Sequence, residues 1–550
     1  MIGYTCKYTP VELLEAFGEK CVLLNSQIDD FTAAESESHA NMCCHAKALL
    51  TQCMKGDIKE FIFVNCCDSV RRVYDIVKAK GNASFLFLLD LPHTFGECSV
   101  QRLASELMRL YREYSEYSGK SFSAEKFISA FSDNQNTPNN DFVAILGARV
   151  SAQTKEVMRE SLNLEVADMT CSGNRKLKAV AKAQKFEDVV QEYARELLRQ
   201  TACMRMADIS SRKELLNSPN LKGIVYHTVK FCDYYSFEYD KIRQETALPI
   251  LKTETDFTSF SSGQLSTRLE AFSESLGYSA PKTEEHSKKN FDGKELFAGI
   301  DSGSTSTNVV VIDAQKNIVA HAVVRTGARA ENGAKKAFEE IEEKFGISTS
   351  DIRKIVATGY GRNTVGFADS SKTEITCHAK GANFINPDVR TVIDIGGQDS
   401  KVISVDGKGG VTNFVMNDKC AAGTGRFLEA MARTLEISVE ELSRKGAQWN
   451  EELTISSMCT VFAESEVISL IAQNKSSDDI VHALNKAVAS KTNSLAARTD
   501  KKGQFMMTGG VARNIGVVKA IEQMIGEKLF ISDEPELCGA LGAALFAAEE

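Results

Sequence analysis

At 550 residues the chain is too long for one ordinary hydrophobic core, and its length predicts several domains. Hydrophobic residues make up 43% and charged residues 25%, as in soluble globular proteins, and no apolar run approaches the roughly 20 residues that a membrane helix needs. A net charge of -9 without a basic stripe argues against nucleic acid as a partner. Residues 1–6 carry neither a charged lead nor an apolar signal core, so we expect a cytoplasmic protein that does not bind membranes.

Cysteine is more frequent than histidine in this chain, which has fifteen cysteines and eight histidines. A reducing cytoplasm keeps such thiols free, so disulfides do not explain them. The composition therefore predicts metal or redox chemistry, with sulfur-ligated iron favoured over a histidine-rich site.

Short apolar runs in the first half alternate with helical stretches. Glu60–Val64 and Phe85–Leu89 are typical of buried strands, and residues 141–147 form a strand that enters a glycine turn. The alternation predicts an α/β fold with two subdomains, over residues 1–140 and 141–280.

Most of the six cysteine neighbourhoods in this half follow a strand-like stretch, so they are candidates to meet where open α/β sheets bind ligands. Their spacings match no zinc ribbon, and scattered buried thiols without metal are the alternative. The aromatic segment Phe231–Phe237 is either a lid over such a site or a core helix, and we favour core packing. The neighbourhoods contain Cys6, Cys43 with Cys44, Cys66 with Cys67, Cys171, Cys203 and Cys232.

A polar, charged stretch with one proline, Ser279–Asn290, separates two periodic regions and predicts a linker over residues 281–296. Downstream, the strand-like Leu296–Ile300 restarts an alternation of strands and helices. Residues 297–550 are thus predicted to form a further α/β domain.

Three glycine-rich turns follow strands of this domain, at residues 299–307, 394–399 and 508–514. The first joins Asp301 to a run of hydroxyls, and such a turn can point backbone N–H groups at phosphate while the carboxylate holds a magnesium-bound water. Each turn taken singly is typical of an ordinary strand connection. In this order they predict a nucleotide cleft, with the third turn at the nucleoside.

Cys420 and Cys459 each precede a stretch with helical spacing. A cubic four-iron cluster normally needs four thiolates, so one subunit cannot close it, whereas a two-fold dimer places the same pair from each partner around one cube. Amide groups at a helix start favour thiolate and anionic cluster alike. Two buried structural thiols are the alternative.

Residues 297–550 resemble the ATP-dependent activators of 2-hydroxyacyl-CoA dehydratases and the ATPase subunits of benzoyl-CoA reductase, within the superfamily of actin, hexokinase and Hsp70. The likeness lies in the two cysteine segments and in Gly299–Thr305, Ala357–Arg362, Ile393–Asp399 and Met507–Val511. It implies a two-lobed ATPase that forms a homodimer, with one [4Fe-4S] cluster held by Cys420 and Cys459 of both subunits. ATP or ADP lies between the lobes in such proteins, and by this resemblance Asp301 and Asp394 serve the magnesium ion and Gln398 the attacking water. The residues expected at the nucleotide are Gly303, Ser304, Thr305, Gly396, Gly397, Gly423, Gly425, Gly509 and Gly510.

The first half resembles the D-component family of 2-hydroxyacyl-CoA dehydratases through Tyr8–Leu13, Thr253–Asp256 and Gly263–Phe272. The resemblance implies Rossmann-like subdomains in which Cys43, Cys67 and Cys232 hold one cubane. A branch of the family carries a double cubane, each cube with three protein ligands, and its further cysteines match Cys6, Cys171 and Cys203. The adjacent Cys44 and Cys66 leave the register open by one residue at two positions, so single and double cubane both stay open.

Together the resemblances imply an ATP-driven electron injector fused to its own iron-sulfur acceptor. Ferredoxin or flavodoxin would donate the electron, ATP would gate its passage, and the acceptor would reduce a small molecule. The alternative is an activator or component of a 2-hydroxyacyl-CoA dehydratase, with a separate dehydratase subunit as partner. Exposed low-potential clusters imply an anaerobic host. A metabolite kinase with incidental thiols and a non-catalytic nucleotide sensor are rivals from other classes.

Overall fold

The computed structural model describes residues 1–550 except 40, 130–139, 172, 174, 176, 178–184, 201–202, 204, 208–209, 259–261, 279–294, 419–420, 447–448, 457–458 and 500–502. Contacts divide the chain into two compact units, Met1–Ser279 and Ala280–Glu550. Most of the predicted linker and Cys420 lie outside the described residues.

The N-terminal unit begins with a four-stranded parallel sheet in the order β2-β1-β3-β4. The predicted strands are present as β3 and β4 with the expected bounds. Its elements are β1 (Ile2–Tyr4), α1 (Val11–Glu15), β2 (Cys21–Leu23), α2 (Thr32–Glu35), α3 (Cys44–Lys55), β3 (Glu60–Val64), α4 (Asp68–Lys80), β4 (Phe85–Leu89), α5 (Glu97–Ser118) and α6 (Ala124–Ser129).

Helix α4 shows how the sequence builds the layer beside this sheet. Val70, Val73 and Val77 recur at helical spacing and are buried, while the side chains between them stay in or near solvent. Gly81 ends the helix at φ 65°, a left-handed conformation that glycine adopts without strain.

A second parallel sheet follows in the order β6-β5-β7-β8. Its elements are β5 (Phe142–Gly147), α7 (Ala152–Leu162), β6 (Glu165–Asp168), α8 (Phe186–Arg199), α9 (Ser210–Leu216), β7 (Leu221–Val229), α10 (Asp233–Glu245), β8 (Ile250–Thr255) and α11 (Ser262–Ser275).

One hydrophobic core joins the two sheets, because Phe61 and Phe63 of the first lie in the same cluster as Phe142 and Tyr226 of the second. The segment after β2 adds a polar link, in which the Asn25 side-chain amide donates to the Val150 carbonyl at 2.5 Å. The N-terminal unit is therefore one packed body with two sheets.

The C-terminal unit repeats one pattern twice. Each of its sheets has three antiparallel strands followed by two parallel ones, in the orders β11-β10-β9-β12-β13 and β16-β15-β14-β17-β18. The strands are β9 (Leu296–Ser302), β10 (Ser306–Asp313), β11 (Ile318–Arg325), β12 (Ile352–Thr358), β13 (Ser370–Ser371), β14 (Val389–Ile395), β15 (Ser400–Val405), β16 (Val411–Asn417), β17 (Gln504–Thr508) and β18 (Leu529–Phe530). The helices are α12 (Ala330–Phe345), α13 (Glu374–Ile385), α14 (Gly425–Thr434), α15 (Val439–Arg444), α16 (Thr460–Ala472), α17 (Ser477–Ala496), α18 (Ile515–Ile525) and α19 (Cys538–Glu549).

Helices α13 and α19 pack closely because both carry glycine at the crossing. A Cβ added at Gly542 would lie 1.8 Å from the Cys377 carbonyl oxygen, and one at Gly381 would lie 2.2 Å from that of Cys538. The two-lobed α/β fold that the sequence implied for this half is confirmed. Among the described residues, no helix combines the length and the apolar character needed to cross a membrane.

Candidate nucleotide cleft and thiol site

Two hairpins face each other across a cavity of about 600 Å³ in the C-terminal unit, called here the nucleotide cleft. The first joins β9 to β10 and the second joins β14 to β15. A Cβ added at Gly397 would lie 2.2 Å from Thr305 Oγ1, so glycine is what lets the hairpins approach. Such close turns leave backbone N–H groups free to face a phosphate.

Lys401 lies among three carboxylates beside the hairpins. Its side chain is 1% exposed, and Nζ lies 2.7 Å from Glu374 Oε1 and 3.1 Å from Asp394 Oδ2. The third partner, Asp399 Oδ2, is 2.9 Å away. Since burial alone would favour neutral groups, the single positive charge of Lys401 offsets part of the negative charge of these three acids.

Asp301 stands at the end of β9 with room around its carboxylate. A Cβ added at Gly359, where φ is +83°, would lie 2.6 Å from Asp301 Oδ1, and one at Gly539 would lie 2.4 Å from Oδ2. Within the described part of the chain, the buried Oδ1 has no hydrogen-bond partner. Burial and the neighbouring Glu374 raise the pKa of Asp301 to about 7.

This acidic pocket fits a magnesium ion, which prefers carboxylate oxygens and retains several waters. Asp301 and Glu374 offer carboxylate oxygens to such an ion, and these oxygens and a ring nitrogen of His378 all lie within 4.8 Å of one another. The unpartnered Asp301 oxygen would gain a partner if a cation or its water bound there.

Asp394 is held as an anion. Although burial opposes ionisation, the charges of His378 and Lys401 lower the pKa of Asp394 to about 2. Burial likewise opposes protonation of His378, but Asp394 raises its pKa to about 10. The two form an ion pair, with His378 Nδ1 3.6 Å from Asp394 Oδ1, and Thr508 Oγ1 donates to the same oxygen at 2.9 Å.

The lining of the cleft combines apolar and polar side chains, as a nucleoside requires. The third glycine turn reaches it, and Gly509 adopts φ +82° where an added Cβ would meet the Ile395 carbonyl oxygen at 2.5 Å. Its lining includes Leu428, Val439, Ser443, Arg444, Val511, Arg513, Asn514 and Ile515.

Most of the residues predicted for this cleft line it, whereas two lie elsewhere. Gln398 is exposed, and its amide oxygen, in the orientation that satisfies its contacts, accepts from Arg426 Nη2 at 2.7 Å. Gly423 adopts φ +85° in a turn against Lys491. Their proposed roles stay predictions. The lining residues are Asp301, Gly303, Ser304, Thr305, Asp394, Gly396, Gly397, Gly425, Gly509 and Gly510.

Sequence reasoning missed Glu374, His378 and Lys401. Glu374 and His378 share one face of α13 at a spacing of four residues, and Lys401 interrupts a fully buried strand. A lysine inside an apolar strand is the one signal that could have indicated a buried ion pair.

Cys459 is exposed and caps helix α16, as its sequence context suggested. The same helix exposes Val461 at 66%, Phe462 at 64% and Ile468 at 54%. Such a run of exposed apolar side chains is typical of a protein interface.

In the N-terminal unit, most of the predicted thiols follow strands of the two parallel sheets. Cys6 follows β1, Cys171 follows β6 and Cys232 follows β7, while Cys66 and Cys67 follow β3. Because the strands of each sheet are parallel, these residues lie at the carboxyl edges, where ligands bind in open α/β folds.

Seven thiols come together there and are called here the thiol site. A first group contains Cys6, Cys66 and Cys203, which share one core cluster, and the Cys66 thiol is within hydrogen-bonding reach of Cys6 and Cys67. A second group contains Cys43, Cys67 and Cys232, where the Cys232 thiol donates to Cys43. Cys171 packs against both clusters.

The second group sits at helix starts, because Cys43, Cys67 and Cys232 are the N-cap residues of α3, α4 and α10. The Val70 backbone N–H donates to Cys67 Sγ at 3.4 Å. The hydrogen bond from Cys232, together with nearby backbone N–H groups, lowers the pKa of Cys43 to about 7 against the effect of burial. Thiolate is the form that binds iron, so these residues fit an iron-sulfur group.

The two adjacent cysteines of the first open position differ in their place on α3. Cys43 is the N-cap residue, whereas Cys44 is the first residue of the helix and is 4% exposed, and burial raises the pKa of its thiol to about 11. The choice of Cys43 as the ligand stays a prediction. At the other position Cys66 and Cys67 both belong to the site.

Buried cations line the thiol site, and sequence reasoning did not identify them. Lys7 is 2% exposed and Arg149 is 5% exposed. The charge of Lys7 acts on Cys6, Cys171 and Cys203. A positive lining suits a group that carries negative charge, as a thiolate-bound iron-sulfur cluster does.

The expectation of core packing for Phe231–Phe237 is wrong for both phenylalanines. Phe231 is 57% and Phe237 77% exposed, whereas Tyr235 is buried. Phe231 has φ +62° just before the cap of α10, which turns its side chain outward.

Comparison with known proteins supports both halves of this description. The model of the BadF/BadG/BcrA/BcrD ATPase family matches residues 298–547, and that of the 2-hydroxyglutaryl-CoA dehydratase D-component matches residues 6–140 and 143–276. The 2-hydroxyisocaproyl-CoA dehydratase activator of Clostridioides difficile is 46% identical over 252 residues, which are 46% of this chain and 94% of that protein. The (R)-2-hydroxyglutaryl-CoA dehydratase activating ATPase of Acidaminococcus fermentans is 47% identical over 250 residues, 45% of this chain and 95% of that protein.

Among solved structures, component A of the Acidaminococcus fermentans (R)-2-hydroxyglutaryl-CoA dehydratase covers 46% of this chain and 98% of its own, with 46% identity and a TM-score of 0.45. Fold, cleft and relatives define an ATP-hydrolysing enzyme with a two-lobed ATPase domain. The chain belongs to the BadF/BadG/BcrA/BcrD ATPase family, and its N-terminal half matches the model of the 2-hydroxyglutaryl-CoA dehydratase D-component. Both resemblances inferred from the sequence are confirmed.

Proposed function

We propose that the chain is an ATP-dependent, low-potential electron-transfer enzyme. ATP hydrolysis in the nucleotide cleft drives an electron from a [4Fe-4S] cluster, held by Cys420 and Cys459 of two subunits, to an iron-sulfur group at the thiol site, where a small molecule is reduced. Ferredoxin or flavodoxin supplies the electron. The observation that carries the proposal is the convergence of seven thiols and buried cations in a chain that also holds an ATPase cleft.

In the cleft, Asp301 and Asp394 hold and orient magnesium and its waters, while the facing hairpins bind the phosphates through backbone N–H groups. The fixed charges of Lys401 and His378 keep Asp394 ionised, so no reorganisation is needed when ATP binds. In the thiol site, helix starts and buried cations hold thiolates. The iron-sulfur groups, when bound, supply one-electron chemistry at low potential.

The seven thiols of the thiol site support a double cubane, because two cubes with three protein ligands each need six thiols. Cys43, Cys67 and Cys232 offer three ligands to one cube, and Cys6, Cys171 and Cys203 offer three to the other. Cys66 is then an additional thiol beside the ligands. Iron analysis of anaerobic protein separates the alternatives, since a double cubane adds about eight iron atoms per chain and a single cubane about four.

The homodimer follows from ligand counting and from helix α16. One chain offers two thiols at the C-terminal site, and the apolar side chains beside Cys459 give a second copy a surface to cover. Replacing Phe462 with Asp should yield a monomer in analytical ultracentrifugation, whereas an unchanged dimer would contradict this interface.

A second candidate is an activator or component of a 2-hydroxyacyl-CoA dehydratase that works with a separate dehydratase subunit. It is favoured by the D-component match and by the activator names of the relatives. Dehydration of 2-hydroxyacyl-CoA by the chain plus such a subunit would support it.

The experiment that tests the first proposal uses a Cys420→Ala variant purified without oxygen. The variant should hydrolyse ATP but fail to reduce the thiol site in the presence of ATP and reductant, as followed by electron paramagnetic resonance. Cys98→Ala, which removes an exposed thiol of α5, is the control and should behave as the wild type. Full ATP-dependent reduction in Cys420→Ala would refute the proposal.

A further inference from the structure

Arg149 is a buried cation whose charge no carboxylate balances among the residues that the structure describes. It follows β5, is 5% exposed, and forms no ion pair with any of the described residues. Its Nη1 donates to the Leu24 carbonyl at 3.2 Å and to His45 Nε2 at 2.8 Å. Burial and the Arg149 charge hold the pKa of His45 well below its usual range, so His45 is neutral.

The guanidinium group of Arg149 has a further hydrogen-bond donor, the Nε–H group. Its Nε is buried and has no hydrogen-bond partner within the described part of the chain. An arginine cannot lose its proton in a protein, so such a group needs an anion nearby.

Arg149 lies at the same sheet edge as thiols of the thiol site. It follows β5, and Cys171 and Cys232 follow β6 and β7, the two strands that flank β5 in the second sheet. Because these strands are parallel, all three residues lie at the carboxyl edge. His45, which contacts Arg149, lies in the first turn of α3, the helix that Cys43 caps. These thiols are therefore the anionic candidates for Arg149.

Arg212 provides a contrast within the same unit. It is 7% exposed, yet its guanidinium is paired with the Glu238 carboxylate. Its charge is balanced by the protein, whereas the charge of Arg149 is available to a bound group.

We propose that Arg149 is the charge-compensating residue of the thiol site, which holds the negative charge of the bound iron-sulfur group and stabilises the electron that this group accepts. The inference rests on the proposed function, because it assumes a redox group at the thiols. Adding an electron adds negative charge, so a fixed cation in a low-dielectric site makes reduction easier and the midpoint potential less negative.

The test uses full-length protein in a Cys420→Ala background, so that the thiol site alone contributes to the spectrum, and low-potential redox mediators carry electrons to that site directly, without ATP. Arg149→Met removes the charge, Arg149→Lys keeps it, and Arg159→Met removes an exposed charge of α7 as a matched control. Iron per chain is measured first, and the midpoint potential is then titrated by electron paramagnetic resonance.

Arg149→Met should shift the midpoint to a more negative potential, while Arg149→Lys and Arg159→Met stay close to the parent. Loss of iron in Arg149→Met with retention in Arg149→Lys would also support the charge role. An unchanged midpoint potential in iron-loaded Arg149→Met would overturn the inference. Equal shifts of the midpoint potential in Arg149→Met and Arg149→Lys, or loss of iron in both of these variants, would also overturn it. A parent protein without iron at the thiol site would instead refute the proposed function.

Discussion

The nucleotide cleft and the thiol site balance their buried charges in opposite ways. In the cleft, Lys401 and His378 pair with carboxylates of the protein, and Asp301 keeps a buried oxygen without a partner among the described residues. At the thiol site, Arg149 is buried without a carboxylate partner among the described residues. The cleft therefore has carboxylate oxygen to offer a cation, whereas the thiol site has positive charge to offer the iron-sulfur group proposed for it.

The largest effect is expected at the resident group. Cys43→Ala removes a thiol that caps α3 and meets Cys232, so the protein should lose about four iron atoms per chain or more. Cys44→Ala is the matched control, since it removes the adjacent thiol, which is not the N-cap residue of α3, and it should leave the iron content unchanged. Iron analysis of the anaerobically purified variants measures the iron content of both. Equal iron content in the two variants would contradict the assignment of Cys43, and not Cys44, as a ligand.

In the cleft, Asp394→Asn should reduce the kcat of ATP hydrolysis by on the order of 100-fold, because it removes a fixed charge at the phosphate hairpin and leaves Lys401 with one fewer partner. Asp406→Asn, in the exposed turn after β15, should have no effect. Steady-state ATPase assays on iron-loaded protein measure both, and iron content should not change in either.

Magnesium binding should depend on pH through Asp301. Because the pKa of this carboxyl is raised to about 7, it is protonated below that pH and ionised above it, and only the carboxylate attracts a cation. The affinity for magnesium with ADP should fall by up to about tenfold per pH unit below pH 7. Calorimetry between pH 6 and 8 tests this, and Asp301→Asn should flatten the profile. The same steep profile in that variant would assign the titration to another group.

The smallest effect concerns the space around Asp301. Gly539→Ala places a methyl group 2.4 Å from Asp301 Oδ2 and should lower the free energy of unfolding by about 1–3 kcal/mol, despite the better helix propensity of alanine. Gly366→Ala, whose Cβ would meet nothing within 4 Å, should change it by a few tenths at most. Urea unfolding compares the stability of the two variants. Equal stability would show that the side chains around Asp301 move to make room for the added methyl group.

The parts of both sites that depend on local sequence were predictable. Strands Glu60–Val64 and Phe85–Leu89, the glycine hairpins and the position of cysteines after strands all follow from short-range patterns. Cys43 could not be separated from Cys44 by composition, because the choice depends on which of them caps α3.

Groups whose role depends on distant partners were not predictable. Arg149 contacts His45, 104 residues away, and Lys401 reaches Glu374, 27 residues earlier in the chain. The aromatic residues Phe231 and Phe237 were misassigned because composition favours burial, whereas Phe231 lies in a left-handed turn before α10 and Phe237 lies on the exposed side of that helix.

The most direct test of the account follows the thiol site while nucleotide is turned over. Anaerobic, iron-loaded protein is mixed with excess reductant and with no nucleotide, with magnesium and ATP, or with a non-hydrolysable ATP analogue, and the reduced thiol-site signal is recorded by electron paramagnetic resonance. The account predicts reduction with hydrolysable ATP alone. Equal reduction without nucleotide, or none under any condition, would contradict it.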